Sequence, residues 1–195
     1  MAAPDLTGYE LIVGVTGGIA AYKTCTVVSR LVQQGAGVTV LMTEAALRFV
    51  GAQTFQALTG RQVHTSLWES ESQHNPQHLR LGQGQDLMLI APATANIIAK
   101  IAHGLADDLL STTVVGADCP VVLAPAMNAR MWANRVVQCN VQMLRDLGFS
   151  IIEPGTGWQA CRAVGPGRMA EPEQIFDQIC ERLRSVPPRN PSAGK

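Results

Sequence analysis

Two short runs, Asp86–Pro92 and Pro120–Pro125, are almost continuously apolar. A strand that covers only one face of a core alternates apolar with polar residues, whereas a strand buried on both faces has no polar side to show. Such strands belong to parallel sheets with helices packed on each side, so these two runs restrict the chain to a layered α/β architecture.

The remaining segments alternate in the same sense. Glu10–Thr16 reads as a strand ending at Gly17-Gly18, and Ile19–Gln34 as a helix that spaces Ala20, Val27, Val28, Leu31 and Val32 on one side. A Gly35-Ala-Gly37 break follows, then a strand over Gly37–Met42, a helix over Glu44–Leu58 interrupted near Gly51, and a short third strand over Val63–Leu67. Asn96–Val115 is helical with a break around Gly104; Asn134–Leu147 is a helix, Phe149–Ile152 a strand, and Pro172–Leu183 the last helix, with Pro172 at a first helical position. The expected fold is a single-domain doubly wound parallel sheet, a Rossmann-like or flavodoxin-like three-layer sandwich over residues 1–184. The polar, Pro-rich stretch 185–195 is expected to be a disordered tail. In sheets of this kind ligands bind beyond the carboxyl ends of the strands, so the strand-to-helix loops are where chemistry is sought.

Composition narrows the partners. Lys plus Arg equals Asp plus Glu at 15 each, so no broad field draws the chain to nucleic acid or anionic lipid. The N-terminal residues lack the basic and apolar regions of a secretory signal, and no apolar run approaches the roughly 20 residues that cross a bilayer. A soluble cytoplasmic protein is expected. The five cysteines (Cys25, Cys119, Cys139, Cys161, Cys180) are odd in number and scattered without zinc spacing, which argues against a disulfide framework or a metal site.

Four loops carry the candidate chemistry. Gly14–Lys23 runs from a strand through paired glycines into a helix; it is neither G-x-G-x-x-G nor a P-loop, and it reads either as a mononucleotide phosphate cradle or as a tight turn. Ala91-Pro-Ala-Thr-Ala-Asn96 offers small residues beside a flat ring, and Thr94 and Asn96 either bond a polar heterocycle or cap the next helix. Ala124-Pro-Ala-Met-Asn128 repeats that logic one strand later. Gly157–Pro172 is dense in Gly and Pro, the composition of a loop that covers something, and it places Cys161 where a substrate would pass.

Taken in order, Gly17–Lys23, Ala91–Asn96, Ala124–Asn128 and Ala160–Pro172 resemble the flavin-containing cysteine decarboxylase family, nearest its phosphopantothenoylcysteine branch. The likeness runs from about residue 9 to residue 184. It implies FMN as cofactor, bound through Gly17, Gly18, Ile19, Thr43, Thr94, Ala95, Asn96 and Ala126. It implies His78 and Cys161 as catalytic residues. Asn128, Trp158, Gln159, Ala160, Arg168 and Met169 match positions on the substrate. Thr94 keeps the hydroxyl of a commoner Ser, Ile97 replaces a common Thr, and Gly84-Gln85 stand where the family usually has Trp-Ala. The resemblance further implies a trimer-based homo-oligomer.

The implied reaction is removal of CO₂ from phosphopantothenoylcysteine to give 4′-phosphopantetheine on the route to coenzyme A. A cysteine carboxylate lacks an electron sink, which a flavin provides by transient oxidation of the thiol. His78 would act early as base or electrostatic partner, Asn128 would hold the carboxylate or amide, and Cys161 would give the late proton. A peptidyl-cysteine oxidative decarboxylase lacks the Cys-containing loop, and a flavin prenyltransferase lacks the Ala-Met-Asn128 and Arg168–Pro172 segments. A non-catalytic regulatory flavoprotein typically replaces the His or the Cys.

Overall fold

The computed structural model describes residues 4–68, 81–184 and 186–189. Five parallel strands form one sheet in the order β2-β1-β3-β4-β5: β1 Glu10–Val15, β2 Gly37–Met42, β3 Leu87–Ala93, β4 Val121–Pro125 and β5 Ser150–Ile151. Every residue of β3 and β4 is buried, as their unbroken apolar sequences require.

Alternation along β1 sends Leu11, Val13 and Val15 to one face and Ile12 to the other. The first face is covered by α1 (Ala21–Gln33), α2 (Ala52–Thr59) and a C-terminal helix, Pro172–Arg184, through Val27, Val28, Leu31, Phe55, Ile175 and Ile179. The second face packs against α3 (Ala95–Ala102), α4 (Leu109–Val115) and, after the short α5 (Ala129–Trp132), α6 (Arg135–Asp146), through Ile97, Ile98, Ile101, Leu110, Val141 and Leu144. Each of these large side chains contributes about 1.5–3 kcal/mol on full burial. The C-terminal helix is α7.

Four readings of the sequence change in detail. The helix over Glu44–Leu58 divides into a 3₁₀ turn at Ala46–Arg48 and α2, with Gly51 extended at the N-cap between them. Val63–Leu67 is not a strand: a single bridge joins His64 to Leu41, and its two ladder bonds, His64 N–H to Val40 O (3.0 Å) and Met42 N–H to His64 O (2.9 Å), have no neighbours to extend them. The last sheet strand shrinks to Ser150–Ile151.

The fourth change matters most for function. Half of the Gly- and Pro-rich loop is an antiparallel hairpin, β6 Gly155–Trp158 with β7 Val164–Arg168. Gly165, Pro166 and Gly167 hide the strand signal because none belongs in a regular strand interior. Of the tail, residues 186–189 lie against the body: Tyr9 Oη donates to Val186 O (2.8 Å), and Arg189 donates its backbone N–H to Asp86 (2.7 Å) and its guanidinium to Asp118 (2.9 Å).

Candidate active site

The order 2-1-3-4-5 reverses direction between β1 and β3, and the loops leaving the carboxyl ends of β1, β2, β3 and β4 open there onto one pocket of about 1120 Å³. The hairpin supplies its remaining wall through Trp158–Cys161 and Gly167–Met169.

The glycine pair divides its work. A Cβ on Gly17 would lie 2.5 Å from the Ala45 Cβ and 2.9 Å from the Ala45 carbonyl carbon, so the loop after β1 rests directly on the loop after β2. A Cβ on Gly18 would meet only Thr94 Cγ2 at 3.6 Å and Pro92 Cγ at 3.8 Å. The space that Gly18 leaves open therefore belongs to the pocket. Helix α1 begins just beyond with no side-chain cap and no acidic residue in its first turn. The Ala21 and Lys23 N–H groups turn back onto Gly18 O and Ala20 O, each at 2.9 Å, and the positive end of the helix dipole favours an anion.

The loop after β3 is braced from β1. Thr16 donates its hydroxyl to Pro92 O (2.6 Å) and accepts the Thr94 N–H (3.3 Å), while Thr94 Oγ1 accepts the Ile97 N–H (3.5 Å) as the N-cap of α3. Such a cap contributes about 1 kcal/mol, and it holds Asn96 exposed in the pocket wall. One turn further, Lys100 pairs with Asp107 and Asp108, each at 2.6 Å. Burial pulls the Lys100 ammonium down, but the bonds to Asp107 and Asp108 outweigh it and hold the group above its ordinary value. Asp108 is also the N-cap of α4, so one ion cluster joins the last turn of α3 to the start of α4 at the pocket wall.

The loop after β4 meets the hairpin. Met127 donates its N–H to Gly167 O (2.8 Å), and Gly167 has φ +108° with Met127 O only 2.6 Å from where a Cβ would stand, so both backbone and packing require glycine. Asn128 caps α5 by accepting the Arg130 N–H (2.8 Å) and donates Nδ2–H to Cys161 Sγ at 2.9 Å. Cys161 donates in turn toward Gln159 Oε1 at 3.6 Å. The thiol is exposed, at the pocket wall, and bracketed by two amides.

The far end of the hairpin is tied by ions. Glu171 accepts Lys23 Nζ at 2.9 Å and Arg168 Nη2 at 2.6 Å. The Lys23 hydrogen bond, opposed by slight burial and reinforced by the Lys23 and Arg168 charges, holds the Glu171 carboxyl below the ordinary range.

Every residue assigned to cofactor, substrate or catalysis from the sequence lines this pocket except His78, which lies outside the described residues. Thr16, Lys23, Lys100 and Asp108 line it as well and were not singled out. Lys23 stands inside the motif quoted for the glycine loop. Lys100 follows Asn96 by four residues, the spacing that puts two side chains on one helix face, and that signal was available.

A parallel 2-1-3-4-5 sheet with an uncapped helix start at its switch point defines a mononucleotide-binding α/β protein. Residues 2–184 match the Flavoprotein family model, and the chain belongs to that family. Among curated relatives it is 50% identical over 181 residues to the coenzyme A biosynthesis bifunctional protein CoaBC of Mycolicibacterium smegmatis, covering 91% of this chain and 43% of the relative. It is 45% identical to CoaBC of Bacillus subtilis, covering 97% and 47%. The chain thus spans about half the length of these relatives.

Solved structures agree in fold. The FMN-dependent cysteine decarboxylase SpaF superposes with a TM-score of 0.80 at 35% identity, covering 92% of this chain and 98% of that one. A cysteine-to-serine mutant of PPC decarboxylase complexed with pantothenoylaminoethenethiol superposes with a TM-score of 0.79 at 28% identity, covering 88% and 96%.

Proposed function

We propose that the chain uses FMN to decarboxylate phosphopantothenoylcysteine to 4′-phosphopantetheine, a carbon–carbon lyase step of coenzyme A synthesis. One observation carries the reading: the Cys161 thiol, held by Asn128, faces the same pocket as a glycine loop and an uncapped helix start suited to a phosphate. The CoaBC relatives and the PPC decarboxylase structure support the substrate.

The residues present fit FMN. The start of α1 and the space beside Gly18 suit a single phosphate, and Ala95 and Ala126 leave room for a flat ring. Thr43, whose Oγ1 accepts the Ala46 N–H at 3.3 Å, keeps its hydroxyl hydrogen for a further acceptor. When bound, FMN supplies the two-electron oxidation and the later reduction that let a cysteine carboxylate leave as CO₂.

The chain's own groups do the rest. Asn128 has a second Nδ2–H beyond the one given to Cys161, and it orients the substrate carboxylate or amide. Cys161 Sγ–H delivers the proton that saturates the carbon left by CO₂. His78 serves the early half as base or electrostatic partner. Overall one proton is consumed for each CO₂ released and no net oxidation occurs.

Ile19, Tyr22, Met131 and Trp158 are all exposed at the pocket. Apolar groups gathered at one rim support a homo-oligomer in which a second copy covers them, and the family resemblance makes that oligomer trimer-based. The same reading makes it a cytoplasmic enzyme.

The test is incubation of purified protein with phosphopantothenoylcysteine and mass analysis of the product. Loss of CO₂ alone supports the proposal. A product lighter by two further hydrogens assigns the chain to oxidative, peptidyl-type chemistry, and unchanged substrate in FMN-loaded protein overturns the decarboxylase reading.

A further inference from the structure

We infer that Gln159 is a positioning residue for the Cys161 thiol and leaves the substrate to others, an inference that rests on the decarboxylase reading of this pocket. Gln159 is 8% exposed although it sits in the hairpin that covers the pocket. Its amide is fully engaged by protein. Oε1 accepts the Ala129 N–H at 3.1 Å and faces Cys161 Sγ at 3.6 Å; Nε2 donates to Pro166 O at 2.9 Å and to Met127 O at 3.4 Å. A side-chain amide has two N–H donors and two acceptor sites, so nothing remains for a substrate atom.

These four contacts run between the hairpin, at Cys161 and Pro166, and the loop after β4, at Met127 and Ala129. The same loop carries Asn128, whose Nδ2 is 2.9 Å from the sulfur. Gln159 therefore sets the distance between the thiol and the residue proposed to orient the substrate. Its backbone also closes the hairpin tip: its N–H donates to Ala163 O (2.9 Å) and its carbonyl accepts the Arg162 N–H (2.8 Å), with Arg162 at φ +64°. The side chain anchors the base of the turn on which the thiol rides.

Misplacing a reacting group by about 1 Å can cost about 10²-fold in rate. The proton from Cys161 is needed only after CO₂ has left, so loss of Gln159 acts on the second half of the reaction. Gln159→Leu keeps the volume and removes all four contacts. We expect the saturated product to fall at least about tenfold relative to the CO₂ released, with the oxidised enethiol accumulating.

Alkylation of Cys161 by iodoacetamide, read by peptide mass spectrometry without substrate, is expected to change at least about fivefold as the bracket opens. Because the Leu variant strands buried polar groups and risks local unfolding, Gln159→Glu supplies a second arm. Its carboxylate would oppose the Met127 and Pro166 carbonyls, whereas the protonated acid restores one donor and one acceptor. Burial raises such a carboxyl, so the saturated fraction in this variant is expected to climb as pH falls from about 8 to about 5, a trend absent from the parent.

Parent-like alkylation and product ratio in a Leu variant with normal FMN content overturn the inference. If that variant loses FMN, a flat pH profile in the Glu variant overturns it and a rising one supports it. If the parent protein does not act on the substrate at all, the decarboxylase reading falls, and the alkylation comparison still decides whether Gln159 positions the thiol.

Discussion

Lys23 Nζ and Glu171 Oε2 stand 2.9 Å apart, joining the first turn of α1 to the residue that precedes α7. Arg168 Nη2 reaches the other oxygen of the same carboxylate at 2.6 Å, so one side chain holds the glycine-loop helix, the end of the hairpin and the last helix together. Lys23 is the better enclosed cation, with a side chain 11% exposed against 40% for Arg168.

This tie is expected to open in acid. The Glu171 carboxyl lies below its ordinary value because Lys23 bonds to its ionised form. A depressed carboxyl contributes its stabilisation in full above the ordinary carboxylate range, and that contribution disappears as pH falls through the folded value. Protection of the 155–168 amides, measured against their intrinsic exchange rates at each pH, should therefore fall below the ordinary carboxylate range. Glu171→Gln should exchange quickly at neutral pH and show no further acid step. A variant that keeps the acid step would mean another group controls the hairpin.

The two glycines of the first loop predict opposite failures. Gly17→Ala forces a methyl group to within 2.5 Å of Ala45 Cβ, and overpacking of this kind costs about 1–3 kcal/mol, read as a lower midpoint in urea. Gly18→Asp has room for its Cβ and should fold with the midpoint of the FMN-free parent. It places a negative group where the phosphate belongs, so the protein should be purified without yellow colour. A yellow Gly18→Asp variant would move the phosphate site elsewhere.

What the sequence revealed and what it hid follow from how local each signal is. Strands β3 and β4 were legible because burial on both faces leaves no polar residue to blur them, and α1 because its apolar spacing is intact. The hairpin was hidden. It is held against the loop after β4 by the Gln159–Met127 and Met127–Gly167 bonds, between residues 32 and 40 apart, while Gly165, Pro166 and Gly167 carry no strand propensity. Thr94 shows the same limit from the other side: its hydroxyl caps α3, which the sequence offered as one of two readings, and only the Thr16 contact explains why the loop is fixed. Asp108 was missed because its pairing with Lys100 depends on the last turn of α3 lying beside the start of α4.

His78 lies outside the described residues, and the role proposed for it rests on the family resemblance. His78→Asn is expected to keep FMN and lose decarboxylation at least about 10²-fold, the usual scale for removing a positioned acid or base. Absorbance near the flavin bands and CO₂ release measured on the same preparation separate the two effects. Turnover at the parent rate would make His78 structural.

Cys161 is expected to separate the halves of the proposed reaction. Of the five thiols it alone lies in the pocket wall; Cys119 is buried and, pushed up to about 11 chiefly by that burial with Asp118 adding to it, is unsuited to acid–base work near neutrality. Asn128 and Gln159 bracket the Cys161 sulfur, and serine at that position keeps the shape while offering a far weaker acid. In the proposed reaction the oxidative half asks nothing of this proton, and the reductive half cannot finish without it. Cys161→Ser should therefore still release CO₂ and accumulate an enethiol two hydrogens lighter than 4′-phosphopantetheine. The mass of the product formed under argon and under air decides the matter. If the serine variant instead slows both halves alike and still yields the saturated thiol, Cys161 only packs the hairpin, and the proton comes from another group at the pocket.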